Sequence, residues 1–204
     1  MTNEIQKHAA EAINAVISRQ KPAAITWTGS PLAKFTHVQI DTRGTVGELL
    51  LVNLLKAGGR KPVYNENTTD LEKHWDFMCN NLKYEVKTAS LGKKGDTFQH
   101  EEIFKSRLYD GLIFVDIAPD NIYISMWAKA DIKWNEIHFR ANGAYYKWVT
   151  SLTPLDKIKQ GKKRRKFCVQ DNAVHTVKEF MSRFRKFEKR IKEIKSKKGG
   201  ANTL

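Results

Sequence analysis

The chain has 204 residues, 41% of them hydrophobic, enough for one domain with a core. Its 36 Lys and Arg against 22 Asp and Glu leave a net charge of +14, yet 17 of the basic and only 4 of the acidic residues fall between Lys157 and Lys198. A nearly neutral body therefore carries a strongly basic C-terminal part, which points to a polyanion, either nucleic acid or an anionic membrane surface. No apolar run of about 18 residues is present to span a bilayer, and the N-terminus lacks the short apolar core of a secretory signal. Two cysteines, Cys79 and Cys168, cannot build a disulfide framework or a four-cysteine zinc site, so the expected location is the cytoplasm.

Residues 3–20 predict a helix, with Ile5, Ala9, Ile13, Val16 and Ile17 at helical spacing and Pro22 ending it. Residues 21–41 read as an irregular connection. Thr45 to Ala57 is a second helix, apolar almost all round and thus expected at the centre, stopped by Gly58-Gly59. From 74 to 90 the pattern alternates around Asn80-Asn81, a hairpin signal. Residues 99–109 read as helical, and 111–117 (GLIFVDI) and 122–128 (IYISMWA) as two strands joined by Pro119-Asp120-Asn121. Residues 131–155 show no single period. Lys157 to Lys166 is a basic loop or helix start, and 173–196 an amphipathic helix striped by Val174, Val177, Met181, Phe184, Phe187, Ile191 and Ile194. The order predicts one α/β domain, a central mixed β-sheet flanked by helices, with a basic C-terminal helical region at about 157–198 and a disordered tail at 199–204.

With Asn80 and Asn81 as the turn, Cys79 pairs with Leu82 and Asp76 falls opposite Glu85. Trp75, Phe77, Cys79, Leu82, Tyr84 and Val86 then form a core face; His74, Asp76, Met78, Lys83, Glu85 and Lys87 form a polar one. Two carboxylates directly across a ladder repel. Either this face is simply solvated, or a cation sits between the acids: Lys83, Lys87 or a divalent metal, for which oxygen ligands suit Mg²⁺.

Trp75-Asp76 followed by Glu85-Val86-Lys87 resembles the PD-(D/E)xK nuclease superfamily, which includes many type II restriction endonucleases; Trp75 stands where that pattern has proline. The resemblance covers about residues 42–132 as a catalytic core. It implies a restriction-endonuclease-like fold in which Asp76, Glu85, the Val86 carbonyl and Glu48 hold Mg²⁺. Lys87 would orient or activate water, and Gln99 would be an auxiliary active-site residue. Glu48 has a second reading, as the partner of Thr45 in a helix capping box; Gln99 has one as an ordinary first-turn helix residue. The activity implied is a Mg²⁺-dependent endonuclease cutting double-stranded DNA at a specific sequence as a homodimer. A repair, nicking or junction-resolving nuclease of the same fold, or a non-catalytic nucleic-acid-binding module, are the alternatives; a membrane-surface protein is a further one. For DNA contact the expected residues are Arg140 and Asn142, and the phosphate-binding run Lys162, Lys163, Arg164, Arg165 and Lys166.

Overall fold

Helix α1 (Glu4–Ile17) opens with a capping box: the Asn3 side chain accepts from the Gln6 amide at 2.9 Å, and the Gln6 side chain accepts from the Asn3 amide at 2.9 Å. Its apolar stripe, Ile5, Ala9, Ala12, Ile13 and Val16, is buried as its spacing predicts. The structure is a computed structural model that describes residues 3–18, 27–64, 75–91, 96–152 and 167–200. Helix α2 (Arg43–Ala57) buries Val46, Leu50, Leu51, Leu54 and Leu55 and ends where Gly59 turns left-handed, at φ 77°.

The hairpin forms in the expected register. Strands β1 (Phe77–Cys79) and β2 (Leu82–Ser90) pair Phe77 with Tyr84 and Cys79 with Leu82. Asn80 and Asn81 take φ of 51° and 62°, the two left-handed positions that a two-residue hairpin turn demands. Residues 97–103 are a strand, β3 (Thr97–Ile103), and not the start of the helix expected over 99–109. Strands β4 (Gly111–Ile117) and β5 (Ile122–Ala128) match the two apolar runs. The region without a clear period supplies β6 (His138–Arg140) and β7 (Tyr145–Ser151), and β8 (Phe167–Cys168) follows. Helix α3 spans Val177–Gly200, starting later than expected and running into the sequence read as tail. The basic run Lys162, Lys163, Arg164, Arg165 and Lys166 lies outside the described residues.

The sheet order is β1-β2-β4-β5, with β2 and β4 parallel and the other pairs antiparallel, so the expected mixed sheet is present. The expected helices on both of its faces are not. All three helices pack on one face, in a single cluster with Tyr84, Val86, Ile113, Val115, Ile117, Ile122 and Ile124. The other face is covered by a second sheet, β3-β7-β6 with β8 beside β7. Aromatic rings fill the gap between the sheets: Phe114 stacks on His100 at 3.8 Å and meets Trp148 at 5.2 Å, and Trp127 meets Trp148 at 4.6 Å. Strand alternation makes the consequence simple. Even-numbered residues of β2 face the helices, and Glu85 and Lys87 face the second sheet.

Candidate active site

Asp76 stands just before β1, where regular pairing stops. Its amide donates to the Tyr84 carbonyl at 2.8 Å, and its Oδ2 accepts from the Val86 amide at 2.5 Å. The carboxylate thus continues the ladder in place of a backbone carbonyl. Because a strand residue directs its N–H and C=O to the same side, the Val86 carbonyl points to that same edge. Glu85, next along β2, is fully buried. Its Oε1 is gripped by two cations, Lys87 Nζ at 2.9 Å and Arg107 Nη1 at 2.7 Å. Its Oε2 is buried with no hydrogen-bond partner among the described residues. The solvated hairpin face allowed by the sequence is therefore not what forms: Asp76, Met78, Lys83 and Lys87 are half-buried, and Glu85 among them is buried completely.

Three acids converge electrostatically here. Burial pushes the Asp76 carboxyl up to about 8, and the negative charges of Glu85 and then Glu48 push the same way; the Val86 amide and Lys87 oppose them. Glu48 projects from α2, its Oε2 accepting from the Tyr64 hydroxyl at 3.1 Å. The capping-box reading of Glu48 fails, because α2 begins at Arg43 with Thr42 as its N-cap and Thr45 lies inside the helix. What places Glu48 is the close packing of α2 on β2: a Cβ at the neighbouring Gly47 would overlap the Thr88 side chain.

The Glu85–Lys87 pair follows directly from strand period, two residues apart on one face. Two further residues belong to this site and were not singled out from the sequence. Arg107, in the β3–β4 loop, is the second cation on Glu85; its guanidinium lies 4.3 Å from the Phe104 ring, and Lys129 Nζ holds its carbonyl. Tyr109 is buried with its hydroxyl unpartnered among the described residues, and burial followed by the Glu85 charge raises its pKa. Only the parallel pairing of β2 with β4, which brings the entry to β4 alongside Glu85, would have marked this loop.

Gln99 is not brought to this cluster. It sits on a strand, on the face of β3 opposite the buried His100, and its side-chain carbonyl accepts from Lys147 Nζ at 2.6 Å. Arg140 on β6 and Asn142 in the following turn are exposed at the rim of a hollow of about 340 Å³ that also includes Glu101, His138 and Tyr145. That hairpin reaches back toward the acids through rings, Tyr145 against Phe104 at 6.2 Å and Phe104 against Arg107.

The donor set suits a hard divalent cation in part. Asp76, Glu85 and the Val86 carbonyl offer oxygen only, and Glu85 Oε2 is a buried acceptor lacking a donor. Among the described residues no three metal-ligating side chains stand close enough to form a cage. That is compatible with Mg²⁺, which keeps water and takes one or two carboxylates plus a substrate phosphate.

No helix among the described residues is long and apolar enough to cross a membrane. No protein-family model matches the sequence, and no curated protein matches it. Among solved structures the chain is similar to a bacterial homing endonuclease, I-Ssp6803I, at 12% identity and a TM-score of 0.41, over 76% of this chain and 98% of that one. A likeness this distant carries no argument for chemistry, so the functional reading rests on the site itself.

Proposed function

We propose that this chain is a Mg²⁺-dependent DNA endonuclease of the PD-(D/E)xK type, acting on double-stranded DNA at a specific sequence as type II restriction enzymes do. One observation carries the reading: a fully buried Glu85 whose Oε2 has no donor among the described residues, on the same strand face as Lys87 and beside an Asp76 whose carboxyl is pushed up to about 8 by burial and then by the charges of Glu85 and Glu48. An interior carboxylate with an open oxygen is costly, and a divalent cation removes the cost.

Asp76, Glu85 and the Val86 carbonyl would hold the cation, and Glu48, whose charge Asp76 feels, would add to the negative field that attracts it. Mg²⁺, when bound, supplies Lewis acidity and neutralises charge building on a phosphodiester. Lys87, whose Nζ lies 2.9 Å from Glu85 Oε1, would orient the attacking water through its ammonium. Arg140 and Asn142 are the contacts to base edges and the basic run Lys162–Lys166 those to phosphates. Two copies of the chain related by a two-fold axis would match a palindromic duplex. Gln99 has no part in this scheme, since Lys147 occupies its side chain on the outer face of β3.

The test is a digest of a long, defined DNA by purified protein with Mg²⁺ and with EDTA. Discrete fragments only with Mg²⁺ support the reading, and their ends give the site and stagger. A smear removes sequence specificity and favours a repair or nicking nuclease. Intact DNA in every condition, with salt-sensitive binding, makes the chain a nucleic-acid-binding protein instead.

A further inference from the structure

We propose that Arg107 is an exchangeable counter-ion: with no divalent cation present it neutralises Glu85, and when Glu85 takes the cation the guanidinium transfers to the phosphodiester. The inference rests on the nuclease reading of the site. Arg107 and Lys87 share one oxygen, Glu85 Oε1, and leave Oε2 open. A divalent cation on Glu85 would face two positive charges, so its arrival favours release of at least one of them. Arg107 is the one placed to go. It comes from a loop rather than a strand, and about a third of its side chain is exposed, 32% against 19% for Lys87.

Its grip is also single. One guanidinium nitrogen reaches Glu85, and among the described residues no second hydrogen bond holds the group, which has five N–H donors. The rest of its support is the flat face of Phe104, at 4.3 Å, on which a guanidinium can slide without breaking a directional bond. Its backbone is fixed by Lys129 Nζ on the Arg107 carbonyl, so the head can move while the loop stays. A fork of donors next to an oxygen-lined site fits the non-bridging oxygens of a phosphodiester. The unpartnered Tyr109 hydroxyl lies in the same pocket of charge, a second donor available once Glu85 has turned to a cation.

Exchange predicts opposite effects on metal and on DNA. Mg²⁺ is titrated calorimetrically into the full-length protein without DNA, for the wild type, Arg107→Gln and Arg107→Lys. Arg107→Gln should bind Mg²⁺ about tenfold more tightly, because the competing charge is gone, and Arg107→Lys should stay near wild type. DNA binding is then measured against salt in a cleavage-blocked Lys87→Ala background, with and without Arg107→Gln. With Mg²⁺ the slope of log K on log salt should fall by about one phosphate contact, roughly 0.9; in EDTA it should not change. A merely structural arginine would shift both conditions alike. Unchanged Mg²⁺ affinity in Arg107→Gln, from a protein whose wild type binds Mg²⁺ and cuts DNA, overturns the exchange and leaves the nuclease reading intact. A wild type that neither binds Mg²⁺ nor cuts overturns both.

Discussion

Replacing Asp76 by Asn should make the metal-free protein more stable, which is the opposite of what altering a hydrogen-bonded, half-buried side chain normally does. The carboxyl titrates near 8 in the folded chain against an ordinary 3.8, through burial first and then the charges of Glu85 and Glu48. Between those two values the folded state binds more protons than the unfolded one, so unfolding free energy falls as pH rises through that window. A gap of about 4 units at about 1.4 kcal/mol each sets a ceiling of about 5 kcal/mol at pH 8. Relaxation and water entry reduce what is realised to about 2–3 kcal/mol. Asn keeps an oxygen to accept from the Val86 amide and carries no charge. For a chain of this size the gain corresponds to a melting temperature higher by about 4–12 °C. The assay is a set of thermal melts in EDTA across pH 5 to 8.5, wild type against Asp76→Asn. The difference should be largest at the alkaline end and close toward pH 5. A variant that melts at or below the wild type at pH 8, or a difference that ignores pH, would refute the crowding of a desolvated Asp76 against Glu85 and Glu48.

Glu85→Gln and Lys87→Ala should each lower cleavage by at least about 100-fold while gel-shift affinity for duplex DNA persists; wild-type rates in either would remove the site assignment. Gly47→Ala should cost about 1–3 kcal/mol in denaturant unfolding, since the added methyl would drive α2 off Thr88 of β2. It should also weaken Mg²⁺ binding by moving Glu48, and an unaffected midpoint would show that α2 has room to shift. His100→Ala should cost about 3 kcal/mol in the same unfolding assay, because it strips the buried Asp116 of the imidazole whose Nε2 lies 2.8 Å from Oδ1, leaving it only the Thr150 hydroxyl at 3.0 Å. A neutral effect there would refute a stabilising role for the His100–Asp116 pair.

What the sequence revealed was what neighbouring residues decide. The Asn80-Asn81 turn, the register it imposes and the i, i+2 placement of Glu85 and Lys87 all follow from local geometry, and the structure has them. The stripes of α1 and α3 and the apolar runs of β4 and β5 were legible for the same reason. Strand β3 was not. Its Gln99, Glu101 and Glu102 suit a helix, and its inward residues Phe98, His100 and Ile103 break the two-residue period, because a bulge with Glu102 at φ 53° lies between them. Its partner β7 is about fifty residues away, and only that pairing makes it a strand. Arg107 escaped notice for a related reason: its role exists only once β4 lies parallel to β2.

The two faces of the central sheet divide the work, and that division explains where the charge sits. Tyr84 packs against Phe184 and Phe187 of α3 on the helical face, 5.4 and 5.7 Å between ring centroids, while Glu85 faces the other way. The exposed side of α3, with Arg185, Lys186, Lys189 and Lys192, therefore looks away from the carboxylates. A polyanion lying over Glu85 would meet the β3–β4 loop and the β6–β7 hairpin, and the end of α3 adjoins that loop, with Lys195 Nζ 2.9 Å from Asp110 Oδ1. The sequence joined the acids and the basic terminus into one expectation because both suit DNA; in the fold α3 packs on the face of the sheet opposite Glu85 and touches the β3–β4 loop near its end, through Lys195. Charge that is free of the core costs little, and so α3 can carry it anywhere on the surface. Charge at Glu85 and Asp76 is expensive, and it is kept only where Lys87, Arg107 and the Val86 amide stand in for what the site lacks.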